Sequence, residues 1–132
     1  MNKRTTCAIL GALFALAGCH STSVQDQQGN KLTLLKPADQ TLRRGDTNQV
    51  TVAINRGGFT SPVPIDFAGL PAGVRVVEAD RKIQSGESSA SFTLQADNNA
   101  ALVEKQRVVV TAYTPGGAET REEFRVTVKE TR

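Results

Sequence analysis

The sequence predicts an all-β domain, a two-sheet antiparallel sandwich of seven strands, standing behind a leader that is cut away. Three observations predict it. From Lys31 onward, apolar residues recur at every second position in seven separate runs, the mark of strands with one buried face. Between the runs lie "RGDTN" (Arg44–Asn48), "RGGFTSP" (Arg56–Pro62), "GLPAG" (Gly69–Gly73), "SGESS" (Ser85–Ser89) and "PGG" (Pro115–Gly117), all of them turn chemistry. No stretch sustains a helical period, and "NNAALVEK" (Asn98–Lys105) has room for one helical turn at most. Many short strands with regular punctuation pack as two sheets around one core.

The elements follow in chain order. Met1 to Thr6 carry Lys3 and Arg4 and no acid, and Cys7 to Ala17 are apolar or small. A basic start followed by about 11 apolar residues is the layout of a secretory signal, too short for the ~20 residues a spanning helix needs. Ser21 to Asn30, "STSVQDQQGN", is polar and without periodicity, and reads as a flexible tether of roughly 18 Å r.m.s. span. Then "KLTLLKP" (Lys31–Pro37) sets Leu32 and Leu34 on one face, and "NQVTVAIN" (Asn48–Asn55) sets Val50, Val52 and Ile54. "PVPIDFAG" (Pro62–Gly69) aligns Val63, Ile65 and Phe67; "VRVVEA" (Val74–Ala79) is short; "SASFTLQA" (Ser89–Ala96) aligns Ala90, Phe92 and Leu94. "RVVVTAYT" (Arg107–Thr114) aligns Val108, Val110 and Ala112, and "REEFRVTV" (Arg121–Val128) aligns Phe124, Val126 and Val128. The division is therefore 1–18 leader, 19–30 tether, 31–130 sandwich.

Two resemblances sharpen this reading. "LAGC" at Leu16, Ala17, Gly18 and Cys19, behind a basic and then an apolar segment, resembles the lipobox of bacterial lipoproteins. The resemblance implies cleavage after Gly18, lipid on the Cys19 sulfur and attachment to a membrane, stable once two or more acyl chains are buried. In that family an Asp after the cysteine often retains the protein at the inner membrane; His20 stands there instead, which implies the outer membrane, facing the periplasm. Second, "NRGGFTSPVPIDFAGLPAGV" (Asn55–Val74), "SASFTLQA" and "VVVTAYTPGGAETREEFRVTV" (Val108–Val128) resemble the immunoglobulin-like or fibronectin type III-like modules of exported bacterial proteins. The resemblance implies an immunoglobulin-like sandwich, with Leu70 dipping into the core at the "GLPAGV" corner. The antibody-type Cys–Trp–Cys core is missing, since the chain has no Trp and its two cysteines, Cys7 and Cys19, precede the body.

Composition narrows the function. The formal charge is +3, and losing Lys3 and Arg4 with the leader brings it to about +1, leaving no net field to recruit nucleic acid. His20 is the one histidine and sits on the tether, where no rigid scaffold holds it against a nucleophile. A zinc site lacks ligands in the body. "ADNNAA" (Ala96–Ala101) lacks the acidic spacing of a calcium loop. Glu122 and Glu123 point to opposite faces of a strand, so a catalytic carboxylate pair is not expected. Gly57–Gly58 and Gly116–Gly117 precede no helix and cradle no phosphate. The expectation is a non-enzyme with no metal and no cofactor beyond covalent lipid on Cys19. It would mediate protein interaction or structural support at the envelope, with a membrane and an envelope protein as partners and no small-molecule ligand. The alternative is a glycan or surface-polymer binding module. Candidate contact residues are Arg56 and Phe59, in the "RGGFTSP" loop, and Tyr113 on an outer face.

Overall fold

The computed structural model describes residues 21–131, and within them period two becomes two inner faces. Five strands form the first sheet, in the order β1-β2-β4-β8-β6: β1 (Ser21–Gln25), β2 (Lys31–Leu35), β4 (Thr47–Gly57), β8 (Ser89–Ala96) and β6 (Val74–Val76). Five form the second, in the order β3-β10-β9-β5-β7: β3 (Gln40–Arg43), β10 (Glu119–Lys129), β9 (Val103–Tyr113), β5 (Val63–Ala68) and β7 (Lys82–Ile83). The run β2-β4-β8-β6 against β10-β9-β5 is the A-B-E-D and G-F-C strand order of an immunoglobulin-like sandwich. The fold is thus all-β and immunoglobulin-like, and all seven runs read from the sequence lie in it.

The core lies where alternation puts it. Leu32, Leu34, Val50, Val52, Ile54, Phe92 and Leu94 face inward from the first sheet, and Val63, Ile65, Val108, Val110, Phe124, Val126 and Val128 from the second, all buried. Phe67 closes the gap between sheets. Its ring meets Phe92 edge-on at 5.5 Å and Phe124 at 6.3 Å, the arrangement that the ring quadrupole favours. Phe67 and Leu70 are half-buried and pack against this core.

Several parts differ from the sequence reading. Ser21–Asn30 is no loose tether: β1 pairs antiparallel with β2, from Ser21 opposite Leu35 to Gln25 opposite Lys31. Val24 packs against the core. Asp26 closes the turn, its Oδ1 accepting the Gln28 and Asn30 backbone N–H groups at 3.0 and 2.9 Å. One apolar residue at the sheet edge gives too little alternation to read, while pairing of the backbone needs none. Residues Ser21–Gln25 therefore already belong to the sandwich, ahead of Lys31. β3, with Leu42 its one apolar residue, runs parallel beside the C-terminal half of β10, Gln40 opposite Val126, so the sandwich is not wholly antiparallel. β7 contributes two residues against β5. Asn98–Lys105 holds a tight turn, Ala100 N–H to Asp97 O at 3.1 Å, and then enters β9. There a bulge leaves Lys105 at φ 53 opposite the Val126–Val128 step, and Thr127 Oγ1 accepts the Lys105 N–H at 3.1 Å, satisfying a donor the ladder loses.

Candidate functional site

Four turns meet at one end of the sandwich, because the strands that carry them pair in register. These are residues 26–30, 58–62, 84–88 and 114–118. Gly86 N–H donates to Thr60 O at 3.0 Å, and Gly116 N–H donates to Asp26 Oδ2 at 2.9 Å. Asp26 thus ties the N-terminal hairpin to the β9–β10 turn. Partial desolvation pushes its carboxyl up, but hydrogen bonds from the Asn30 side chain and backbone, from Thr114 and from Gly116 outweigh it and hold the group at about 2.

Arg56 sits at the end of β4 and binds this region from the side. Its Nη2 donates to Gln84 O at 2.8 Å and Glu87 O at 2.7 Å, its Nε to Glu87 O at 3.1 Å, and its Nη1 to Ser61 O. The guanidinium also lies 5.4 Å from the Phe59 ring centroid, a cation–π contact. Phe59 is half-buried against the core. Arg56 and Phe59 are therefore brought together, as a clamp between two loops. Tyr113 closes β9 on the outer face of the second sheet, donating from its hydroxyl to Asp66 Oδ2 at 3.1 Å. Burial pushes its phenol up, and the Asp66 hydrogen bond adds to that.

One feature escaped the sequence reading. Along the outer face of β9 and β10 and the seam with β1 runs an open groove of about 1040 Å³, lined by Thr22, Lys36, Arg107, Arg121 and Arg125 and by the acids Asp39, Glu122 and Glu123. The outward row Arg121, Glu123, Arg125 was legible from alternation. That Arg107 stands directly opposite Arg125 follows only from the register. Arg107 leans to Glu123 at 3.1 Å, Lys36 to Asp39 at 3.7 Å, and Arg121 to Glu119. β1 closes one wall, Thr22 Oγ1 donating to Arg121 O at 2.7 Å, and Lys36 Nζ donates to Glu123 O at 2.6 Å.

Among the described residues no group of three His, Cys, Asp or Glu side chains is placed to hold a metal. Leu16, Ala17, Gly18, Cys19 and His20 lie outside the described residues.

No protein-family model matches the chain, and no curated protein does. Solved structures do resemble it. A chain of a mutant titin M10–obscurin-like 1 Ig complex is 17% identical with a TM-score of 0.47, the match covering 86% of this chain and 99% of that one. The BIgI domain of the beta protein from S. agalactiae, solved bound to CEACAM1, is 18% identical with a TM-score of 0.47, covering 78% and 99%. A chimeric titin Z1Z2 is 17% identical with a TM-score of 0.45, covering 88% and 100%. These are distant likenesses of shape and assign no function; the fold rests on the strand order itself.

Proposed function

We propose that this chain is a lipid-anchored, non-catalytic interaction module of a bacterial envelope. It is attached through Cys19 to the outer membrane, faces the periplasm and supports or docks another envelope protein. The observation that carries the anchor is the tetrapeptide Leu16–Cys19 behind a basic and then an apolar segment. The immunoglobulin-like sandwich supports the non-catalytic part, and Arg56 and Asp26 are spent on holding turns. The end formed by the four turns, with Phe59 and Arg56, is the partner-facing surface in this reading. A half-buried ring beside a guanidinium is the composition of an interface anchor.

Crosslinking in intact cells, comparing the native chain with Cys19→Ala, tests it. One dominant protein captured by the native chain and lost from the variant is the expected result. Equal capture by both forms, or an unmodified Cys19 in the membrane fraction, would refute the anchored reading.

A further inference from the structure

The missing tether has a geometric consequence. Cys19 and Ser21 are two residue steps apart, a contour of at most about 7 Å, and Ser21 already belongs to β1. Whatever holds Cys19 holds the sandwich itself. Ser21 and Thr22 line the groove with Lys36, Arg107, Arg121 and Arg125. On the other side of the seam Leu35, opposite Ser21 in the ladder, is exposed at 37%.

We propose that this groove is a seat for the headgroups of anionic phospholipids, on which the domain rests side-on. The inference rests on the Cys19 anchor and specifies how the anchored domain sits. Three observations favour lipid phosphate as the occupant. The connection is too short to let a partner protein between groove and bilayer. Arg107 and Arg125 stand directly opposite each other on the outer face, and like charges so placed oppose sheet pairing; Glu123 relieves Arg107 from one side, and a phosphate between the two would relieve both. Asp39 and Glu123 pair with Lys36 and Arg107, and Glu119 pairs with Arg121, while Glu122, the third acid of the lining, is buried. The Arg125 guanidinium reaches only the Lys105 carbonyl, at 3.4 Å, among the described residues. Arg107 and Arg121 remain 61% and 64% exposed, with donors to spare. The contacts are individually weak, but anchoring makes them intramolecular, so weak contacts suffice to orient the body.

The test uses the chain from Cys19 onward, which contains the whole packed core from Val24 to Val128. It is coupled through the Cys19 thiol to maleimide-bearing vesicles of phosphatidylglycerol and phosphatidylethanolamine. Chemical coupling fixes the anchor, so this result is separate from whether cells lipidate Cys19, which the mass of the Cys19 peptide from native membranes decides. Phenylglyoxal modification is then followed arginine by arginine. Arg107, Arg121 and Arg125 should react about threefold or more slowly on the vesicles than in solution, and the slowing should fade in about 0.5 M salt. Arg75, on the far edge of the other sheet, should keep its rate. Lys36→Glu with Arg125→Glu should return Arg121 to its solution rate. Unchanged rates at all three, or equal slowing at Arg75, would overturn the seat. So would protection seen in native membranes but on no lipid vesicle, which assigns the groove to a protein.

Discussion

Substituting Gly73 by alanine, beside the same change at Gly86, separates two reasons for glycine. Both residues have positive φ, 85° at Gly73 and 78° at Gly86. A side chain there costs about 1–2 kcal/mol in backbone strain. The surroundings differ. A Cβ on Gly86 meets nothing within 4 Å, whereas a Cβ on Gly73 would lie 2.7 Å from Ala100 Cα and 3.0 Å from Ala100 Cβ. Ala100 is fully buried, and its backbone is fixed by the Asp97 turn, so it cannot step aside cheaply. Forcing it outward adds about 1–3 kcal/mol, the cost of overpacking a close contact. Gly86→Ala should therefore lose about 1 kcal/mol after the gain from a stiffer unfolded chain, and Gly73→Ala about 2–4 kcal/mol. At roughly 4 °C per kcal/mol the melting temperatures should fall by about 4 °C and about 8–16 °C. Urea unfolding followed by circular dichroism measures both. Losses equal within about 0.5 kcal/mol would mean that the corner does not press on Ala100, and the steric argument would fail.

Three further outcomes follow from the same physics. Phe92→Ala, which removes a buried ring at the centre of the Phe67–Phe92 contact, should cost about 3–5 kcal/mol in urea unfolding. Arg56→Ala should cost about 1–2 kcal/mol and open residues 58–62 and 84–88 to limited proteolysis; Arg56→Lys should not restore protection, since an ammonium cannot span carbonyls that a guanidinium fork reaches. Asp26 should titrate at about 2 by NMR. Its folded value lies below the unfolded one, so its contribution is complete above about pH 4 and is lost as pH falls toward 2. The stability gap between the native chain and Asp26→Asn should narrow over that window, and a gap independent of pH would remove the carboxylate from the hairpin's support.

How legible the molecule was depended on how each element is held. Val50, Val52 and Ile54, or Phe124, Val126 and Val128, announce their strands because burial on one face imposes alternation on the sequence. β1 and β3 are held by backbone pairing at the margins of the sheets, which constrains side chains little. Val24 and Leu42 alone betray them, too few to make a pattern. The candidate contact residues show the same division. Phe59 was visible as an apolar ring in a turn three residues from Arg56, but the binding of Arg56 to the carbonyls of Ser61, Gln84 and Glu87 joins positions 5 to 31 residues apart.

The sequence by itself determined the sandwich class, the identity of the core and the absence of a histidine or cysteine from the body, since composition and short-range periodicity are local properties. Tertiary structure decided the order of strands, the parallel placement of β3, the pairing of Ser21–Gln25 with β2 and the groove in which Thr22, Lys36, Arg107 and Arg125 meet. Those depend on register between distant segments. A shift of one residue sends every side chain of a strand to its other face, and only the packed core, by fixing which face is buried, selects the register that sets Arg107 against Arg125.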